Sequence, residues 1–138
     1  MNDPTHIPTV LFACVHNSGR SVLGQALLTK HARGRVRALS AGSEPGDSLN
    51  PSVVAVLAEE GIDVTGHRPT LLTYDGVGEA DVIITMGCGE TCPVFPGKRY
   101  EDWQLDDPKG QDLPTVERII DEIDARVRAL LTSLEIGV

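Results

Sequence analysis

Short apolar segments alternate with segments of helical periodicity along the chain, and this alternation limits the fold more than any other feature. Residues 9–13 and 81–86 combine β-branched and other apolar side chains, as is typical of buried strands. Residues 36–40 are predicted to form a further strand, and residues 98–103 a fourth, shorter one. Strands that are separated by helices pair in parallel through right-handed crossovers. The sequence therefore predicts an α/β fold.

Three helices are predicted between and after these strands. The first covers residues 22–32. The second has Asn50 as its cap and Pro51 at its first position, and Gly61 ends it. The last covers residues 113–134, where apolar side chains recur three and four residues apart. Its predicted buried face consists of Val116, Ile119, Ile120, Ile123, Val127, Leu130, Leu131 and Leu134.

Together these elements predict a four-stranded parallel sheet with helices on both faces, formed by one domain that covers residues 1–138. Ligands bind such sheets at the carboxyl ends of the strands. The first strand ends at Cys14 and the third ends just before Cys88. The two thiols are therefore expected at the same edge of the sheet.

The charge of the chain disfavours two classes of partner. Twelve Lys and Arg residues against twenty Asp and Glu residues give a formal net charge of −8, and such a surface repels nucleic acid and anionic lipid. A small anion stays compatible, because it needs only a local site. No apolar segment approaches the ~18 residues of a transmembrane helix, and residues 1–8 lack signal-peptide character. A cytoplasmic location with three reduced cysteines is therefore expected.

The polar segment after the first strand has the composition of an oxyanion site. It consists of Cys14, Val15, His16, Asn17, Ser18, Gly19, Arg20 and Ser21. Successive backbone N–H groups in such a strand-to-helix loop form an anion nest, and the helix N-terminus faces the same point. Arg20 can donate two hydrogen bonds to a tetrahedral oxyanion, and the same positive field favours the thiolate of Cys14. One loop would thus hold an oxyanion beside a nucleophile.

Plainer interpretations of these residues exist. Cys14 could be a buried thiol at a strand end, and Arg20 a surface residue. The position of the pair between strand and helix, together with Asn17 and Ser21, favours the oxyanion site. His16 is interpreted as a loop-surface residue rather than as a base.

Residues 14–21 resemble the phosphate-binding loop of low-molecular-weight protein tyrosine phosphatases and, more closely, that of the related cysteine-relay arsenate reductases. The similarity continues in residues 40–42 (Ser-Ala-Gly), in residues 61–63, in Asp107 and Pro108, and in the last helix. The resemblance implies the doubly wound fold of these phosphatases.

The resemblance also implies roles for single residues. Asp107 matches the general acid of the family, and a departing oxygen does need a proton. Asp106 is the neighbouring alternative, interpreted as a solvated turn residue. Ser21 is implied to hydrogen-bond the Cys14 thiolate, and Asn17 to organise the loop.

A pair of cysteines distinguishes a reductase from a phosphatase. A phosphatase needs one cysteine, whereas a reductase needs a second thiol that releases arsenite and forms a disulfide, and a third can move that disulfide outward. Cys88 and Cys92 follow the third strand, and Gly87 and Gly89 give the backbone there freedom to rearrange. The resemblance implies that Cys88 attacks Cys14, that Cys92 then attacks Cys88, and that thioredoxin reduces the product.

Three other interpretations of the cysteine pair stay open. It could be half of a zinc site, although no second cysteine pair exists and the four histidines are scattered. It could pack inertly, although its polar, glycine-rich setting disfavours burial. A low-molecular-weight thiol such as mycothiol could instead complete the reaction at Cys14.

The chain departs from the family pattern at several positions. Some members bind potassium through an acidic residue on the first helix, where this chain has Gln25, and Thr70 replaces a second acidic position. Lys109 and Gly110 stand where the phosphatases have tyrosines that stack on aryl substrates. A potassium site and a tyrosine phosphatase are therefore both disfavoured. His67 could orient the loop or serve structure alone.

The sequence thus predicts an arsenate reductase with no bound cofactor and no metal, a monomer whose partners are an arsenate-like or phosphate-like oxyanion and thioredoxin. Its predicted catalytic residues are Cys14, Arg20, Cys88, Cys92 and Asp107. A phosphatase for small phosphomonoesters and a non-catalytic oxyanion sensor are the alternatives. The identity of the reductant stays open.

Overall fold

The computed structural model describes residues 7–86, 98–106, 108 and 110–134. In chain order its elements are β1 (Thr9–Cys14), α1 (Arg20–Ala32), β2 (Arg37–Gly42), α2 (Pro51–Glu59), α3 (Tyr74–Glu79), β3 (Val82–Thr85), β4 (Arg99–Asp102) and α4 (Leu113–Ser133). Three predicted site residues, Cys88, Cys92 and Asp107, lie outside the described residues.

The four strands of the described chain form one sheet with the order β2-β1-β3-β4, and neighbouring strands are parallel. β1 is central: its Cys14 is in register with Gly42 of β2, and its Ala13 with Thr85 of β3. All six residues of β1 are buried, as expected for a strand that is covered on both faces. The predicted four-stranded parallel sheet is confirmed.

Apolar cores lie on both faces of the sheet. The larger core joins Phe12 of β1 and Ile84 of β3 to buried side chains of α1, α2 and α4. The smaller core joins Leu11 and Ile83 to Val77 of α3. Successive side chains of a strand point to opposite faces, which is why the neighbours Leu11 and Phe12 belong to different cores. Helices thus cover both faces, as predicted.

The predicted start of one helix is wrong, and a further helix is not predicted. α1 begins at Arg20 rather than at residue 22, because Gly19 is the N-cap and the polar residues Arg20 and Ser21 form its first turn. α3 is absent from the prediction, because its two glycines leave no helical periodicity. Thr73 starts this short helix by accepting a hydrogen bond from the N–H of Gly76 at 3.0 Å.

α4 follows its prediction. It begins after Asp112, whose side chain accepts a hydrogen bond from the N–H of Thr115 at 3.0 Å, and it ends at Ser133. Seven residues of its predicted apolar face are buried, and Leu134 is partly buried. Within the described chain, no helix combines the length and the apolar character that crossing a membrane requires.

Candidate active site

The oxyanion loop, residues 14–19, joins β1 to α1 at the carboxyl edge of the sheet. Cys14 is the last residue of β1 and is 3% exposed. Met86, which follows β3, donates its backbone N–H to the carbonyl of Ala13 at 2.7 Å. The chain therefore leaves β3 beside the end of β1. The expectation that Cys88 shares this edge with Cys14 stays a prediction, since Cys88 lies outside the described residues.

The segment that follows β2 orients the backbone of the oxyanion loop. It donates four backbone hydrogen bonds to loop carbonyls: Ser43 to Cys14 at 3.1 Å, Glu44 to Val15 at 2.8 Å, Gly46 to His16 at 2.9 Å and Asn50 to Ser18 at 2.8 Å. In a trans peptide the N–H points opposite to the carbonyl. The N–H groups of residues 15, 16, 17 and 19 are therefore turned away from this segment, which is the arrangement of an anion nest.

Gly42 gives this segment room to approach the loop. A Cβ built at Gly42 would lie 2.6 Å from the Val15 carbonyl oxygen and 2.9 Å from the Asn17 nitrogen. Both neighbours are backbone atoms, so a side chain at this position would displace the oxyanion loop. This role of Gly42 does not follow from the predicted elements, because the second strand is predicted to end at residue 40, whereas β2 ends at Gly42.

Two polar groups converge on the sulfur of Cys14. The N–H of Asn17 donates to Sγ at 3.3 Å, and Oγ of Ser21 lies 2.8 Å from Sγ. Oγ of Ser21 also accepts a hydrogen bond from Nδ2 of Asn17 at 2.8 Å, which leaves its own hydrogen available to the sulfur. The sulfur is thus contacted by the oxyanion loop and by the first turn of α1.

Asn17 holds the loop in an otherwise unfavourable conformation. Its φ of 51° is left-handed, and its side chain is fully buried. Its Oδ1 accepts a hydrogen bond from the N–H of Thr70 at 2.8 Å and lies 3.3 Å from Nε2 of His67. An amide oxygen only accepts, so Nε2 of His67 carries the hydrogen. Partial burial lowers the pKa of His67 from 6.5, which favours the neutral ring.

The connection from β4 to α4 also reaches the oxyanion loop. Nη1 of Arg20 donates to the carbonyl of Leu105 at 3.3 Å, and Arg20 is half-buried. A Cβ built at Gly19 would lie 3.0 Å from Cγ of Pro108. This connection therefore contacts Arg20 at the start of α1 and brings the proline of the Asp-Pro motif against the oxyanion loop.

Of the two candidate general acids, the structure describes Asp106 but not Asp107. Asp106 is exposed, and its carboxylate lies 3.4 Å from Arg118 of α4. A surface ion pair of this kind matches the interpretation of Asp106 as a solvated residue. Asp107 lies outside the described residues, and its role as the acid stays a prediction.

The helix position that corresponds to a potassium ligand in some relatives has internal partners here. Oε1 of Gln25 accepts a hydrogen bond from Oγ of Ser40 at 2.6 Å, and Nε2 donates to the carbonyl of Ala38 at 3.1 Å. Across the part of the chain that the structure describes, no three His, Cys, Asp or Glu side chains come together to hold a metal ion.

Comparisons with known proteins extend over nearly the whole chain. The model of the family described as low molecular weight phosphotyrosine protein phosphatase matches residues 9–137. Arsenate reductase 1 of Bacillus cereus is 34% identical over 125 residues, which cover 87% of this chain and 91% of that protein. Glutaredoxin arsenate reductase of Synechocystis is 30% identical over 128 residues, which cover 91% of this chain and 97% of that protein.

A solved structure shares the fold at higher identity. The thioredoxin-dependent arsenate reductase of Corynebacterium glutamicum has a TM-score of 0.84 and 43% sequence identity to this chain. The match covers 96% of this chain and 64% of the longer Corynebacterium chain. The oxyanion loop, the sheet and α4 all lie within the matched region of the family model.

Proposed function

The chain belongs to the low molecular weight phosphotyrosine protein phosphatase family, and we propose on this premise that it reduces arsenate to arsenite through a cysteine relay that thioredoxin resets. One observation carries the proposal: Cys14 Sγ accepts a hydrogen bond from the N–H of Asn17 and lies 2.8 Å from Oγ of Ser21, beside a nest of backbone N–H groups. Such a site binds a tetrahedral oxyanion and presents a thiolate to its central atom. Relatives named arsenate reductases support arsenate as that oxyanion.

In the first step, the thiolate of Cys14 attacks arsenic and one oxygen leaves. Arg20 and the N–H groups of the oxyanion loop stabilise the charge on the remaining oxygens. The departing oxygen needs a proton, which we assign to Asp107. Pro108, its neighbour in sequence, lies against Gly19 of the loop, which supports this assignment.

The second step reduces arsenic. The Cys88 thiolate attacks Sγ of Cys14, the sulfur–arsenic bond breaks, and its electron pair stays on arsenic. As(V) becomes As(III), arsenite leaves, and the two thiols are oxidised to a Cys14–Cys88 disulfide. Cys92 then attacks Cys88 and frees Cys14, which leaves a Cys88–Cys92 disulfide.

Two of the compared proteins differ in the reductant that their names give. The Corynebacterium neighbour is described as thioredoxin-dependent, whereas the Synechocystis relative is named a glutaredoxin arsenate reductase. We assign thioredoxin because the cysteine pair supplies an intramolecular disulfide for a dithiol reductant to exchange with. A single-domain, cytoplasmic monomer is proposed as the working form.

A coupled assay tests this function. NADPH oxidation is followed with arsenate, thioredoxin and thioredoxin reductase, in parallel with a glutaredoxin–glutathione system and a mycothiol system. We expect turnover that requires both arsenate and thioredoxin and that disappears in Cys14→Ser. Turnover confined to the glutaredoxin or mycothiol system would overturn the assigned reductant, and no turnover in any system would overturn arsenate reduction.

A further inference from the structure

The segment that follows β4, residues 103–105, is anchored to the sheet at its first residue. The backbone N–H of Trp103 donates to the carbonyl of Thr85 at 2.9 Å, which continues the hydrogen bonding between β3 and β4 past the end of β4. The Trp103 side chain is buried, and its ring meets the ring of Phe12 edge to face, with centroids 5.7 Å apart. Its Nε1–H donates to Oε1 of Glu101 at 3.2 Å. Both the backbone and the side chain of Trp103 are thus held in place.

Leu105, two residues further on, joins this segment to the start of α1. Its side chain is partly buried against the larger core. Its backbone carbonyl accepts a hydrogen bond from Nη1 of Arg20 at 3.3 Å. Protein cores are close-packed, so a leucine side chain that is held in the core restricts the backbone to which it is attached. Apolar packing therefore determines where the oxygen that meets Arg20 lies.

A carbonyl oxygen is well suited to orient an arginine that binds an anion. The long side chain of arginine loses conformational freedom when it binds, and ordering it beforehand removes part of that cost. The guanidinium is planar and carries five N–H groups, so one hydrogen bond to Leu105 is compatible with two more to a single oxyanion. A carbonyl has no net charge, whereas a carboxylate at the same place would repel the bound anion.

We infer that Leu105 is a positioning residue for Arg20: the packing of its side chain places the carbonyl that orients the guanidinium for the bound oxyanion. The inference rests on the oxyanion binding of the proposed function, but it involves neither Cys88, Cys92 nor thioredoxin. Leu105 acts through Arg20 and not on the anion itself. Shortening the Leu105 side chain should therefore weaken anion binding although every group that binds the anion is still present.

Calorimetry with inorganic phosphate tests the inference on the reduced protein. Leu105→Ala keeps the carbonyl but removes the packing that places it, so phosphate binding should weaken about threefold to tenfold, as expected for one lost hydrogen bond. Leu105→Met retains most of the side-chain volume and should restore most of the affinity. Leu134→Ala is the matched control, because Leu134 is also partly buried against the larger core but lies at the end of α4. It should bind phosphate as wild type does.

A double-mutant cycle separates positioning from a general loosening of the fold. Arg20→Lys lacks the planar donor, so adding Leu105→Ala to it should cause no further loss of phosphate affinity. A purely structural defect would weaken binding by the same factor in both backgrounds. Nitrogen NMR spectra of the Arg20 guanidinium give a second readout, because a hydrogen bond at Nη1 slows rotation about the Cζ–Nη1 bond. This rotation should be faster in Leu105→Ala than in wild type and in Leu134→Ala.

Several outcomes would overturn the inference and leave the proposed function intact. These are wild-type phosphate affinity in Leu105→Ala, an equal loss of affinity in Leu134→Ala, and equal losses with and without Arg20→Lys. Guanidinium rotation at the wild-type rate in Leu105→Ala would also overturn it, and this measurement needs no bound anion. A wild-type protein that binds no phosphate would instead contradict the oxyanion site of the proposed function, and the inference with it.

Discussion

Replacing Gly42 with alanine tests whether the segment after β2 holds the oxyanion loop in its working shape. The added Cβ would lie 2.6 Å from the Val15 carbonyl oxygen, about 0.8 Å inside ordinary contact, and 2.9 Å from the Asn17 nitrogen. Neither atom belongs to a flexible side chain, so the loop backbone itself has to move. Overpacking of this kind lowers the free energy of unfolding by about 1–3 kcal/mol. A displacement near 1 Å at reacting groups lowers the rate by roughly 100-fold.

Two measurements on Gly42→Ala check this reasoning. We expect kcat/KM for arsenate to fall by roughly 10- to 100-fold and calorimetry to show weaker binding of inorganic phosphate. Denaturant unfolding identifies conditions under which the variant is fully folded. Gly66→Ala is the control, since a Cβ there meets no heavy atom within 4 Å, and it should behave as wild type. Wild-type phosphate affinity and kcat/KM in Gly42→Ala would refute the role of this contact.

Three further predictions concern side chains around the nest. Arg20→Lys keeps the charge but loses the bidentate hydrogen-bond donor, so kcat/KM for arsenate should fall by ~100-fold or more. Near-normal turnover would show that Arg20 does not stabilise the transition state. Ser21→Ala removes a donor 2.8 Å from Cys14 Sγ, and kcat/KM should fall about tenfold or more, whereas unchanged kinetics would exclude that hydrogen bond from catalysis. Burial lowers the pKa of His67, so the unfolded chain binds more protons and the free energy of unfolding should fall as pH drops through about 6.5. His67→Gln should flatten this pH dependence in denaturant titrations, and an identical slope in both proteins would contradict the assignment.

Local signals in the sequence account for most of the fold. The 3.6-residue period of its apolar residues predicts α4 without reference to any other element. The apolar strands and the helices between them fix the parallel sheet. α3 cannot be predicted from the sequence because it is short and contains two glycines. Its Val77 packs in the smaller core, but this contact follows only from the three-dimensional structure. α1 starts earlier than predicted because the polar residues Arg20 and Ser21, which carry no apolar periodicity, form its first turn.

In the candidate site, too, local features could be predicted from the sequence, whereas contacts between distant residues could not. The spacing of Cys14 and Arg20 is a local property, and the sequence identifies it. The support of the loop is not local: Thr70, whose N–H holds Asn17, is 53 residues away along the chain. The segment that follows β2 contacts the loop through backbone N–H groups, which every residue except proline has, so these contacts leave no pattern in the sequence. The family resemblance thus anticipates the contact of Ser21 with Cys14 and the role of Asn17, but not the backbone contacts that shape the loop from a distance.

The pairing of cysteines after a single turnover tests the proposed relay most directly. Reduced protein is mixed with arsenate in the absence of reductant, free thiols are alkylated, and peptides are analysed by mass spectrometry. Wild type should contain a Cys88–Cys92 disulfide, whereas Cys92→Ser should trap Cys14–Cys88 and then stall with thioredoxin. Sustained thioredoxin-driven turnover by Cys92→Ser, or a wild-type product without the Cys88–Cys92 bond, would contradict the three-cysteine relay.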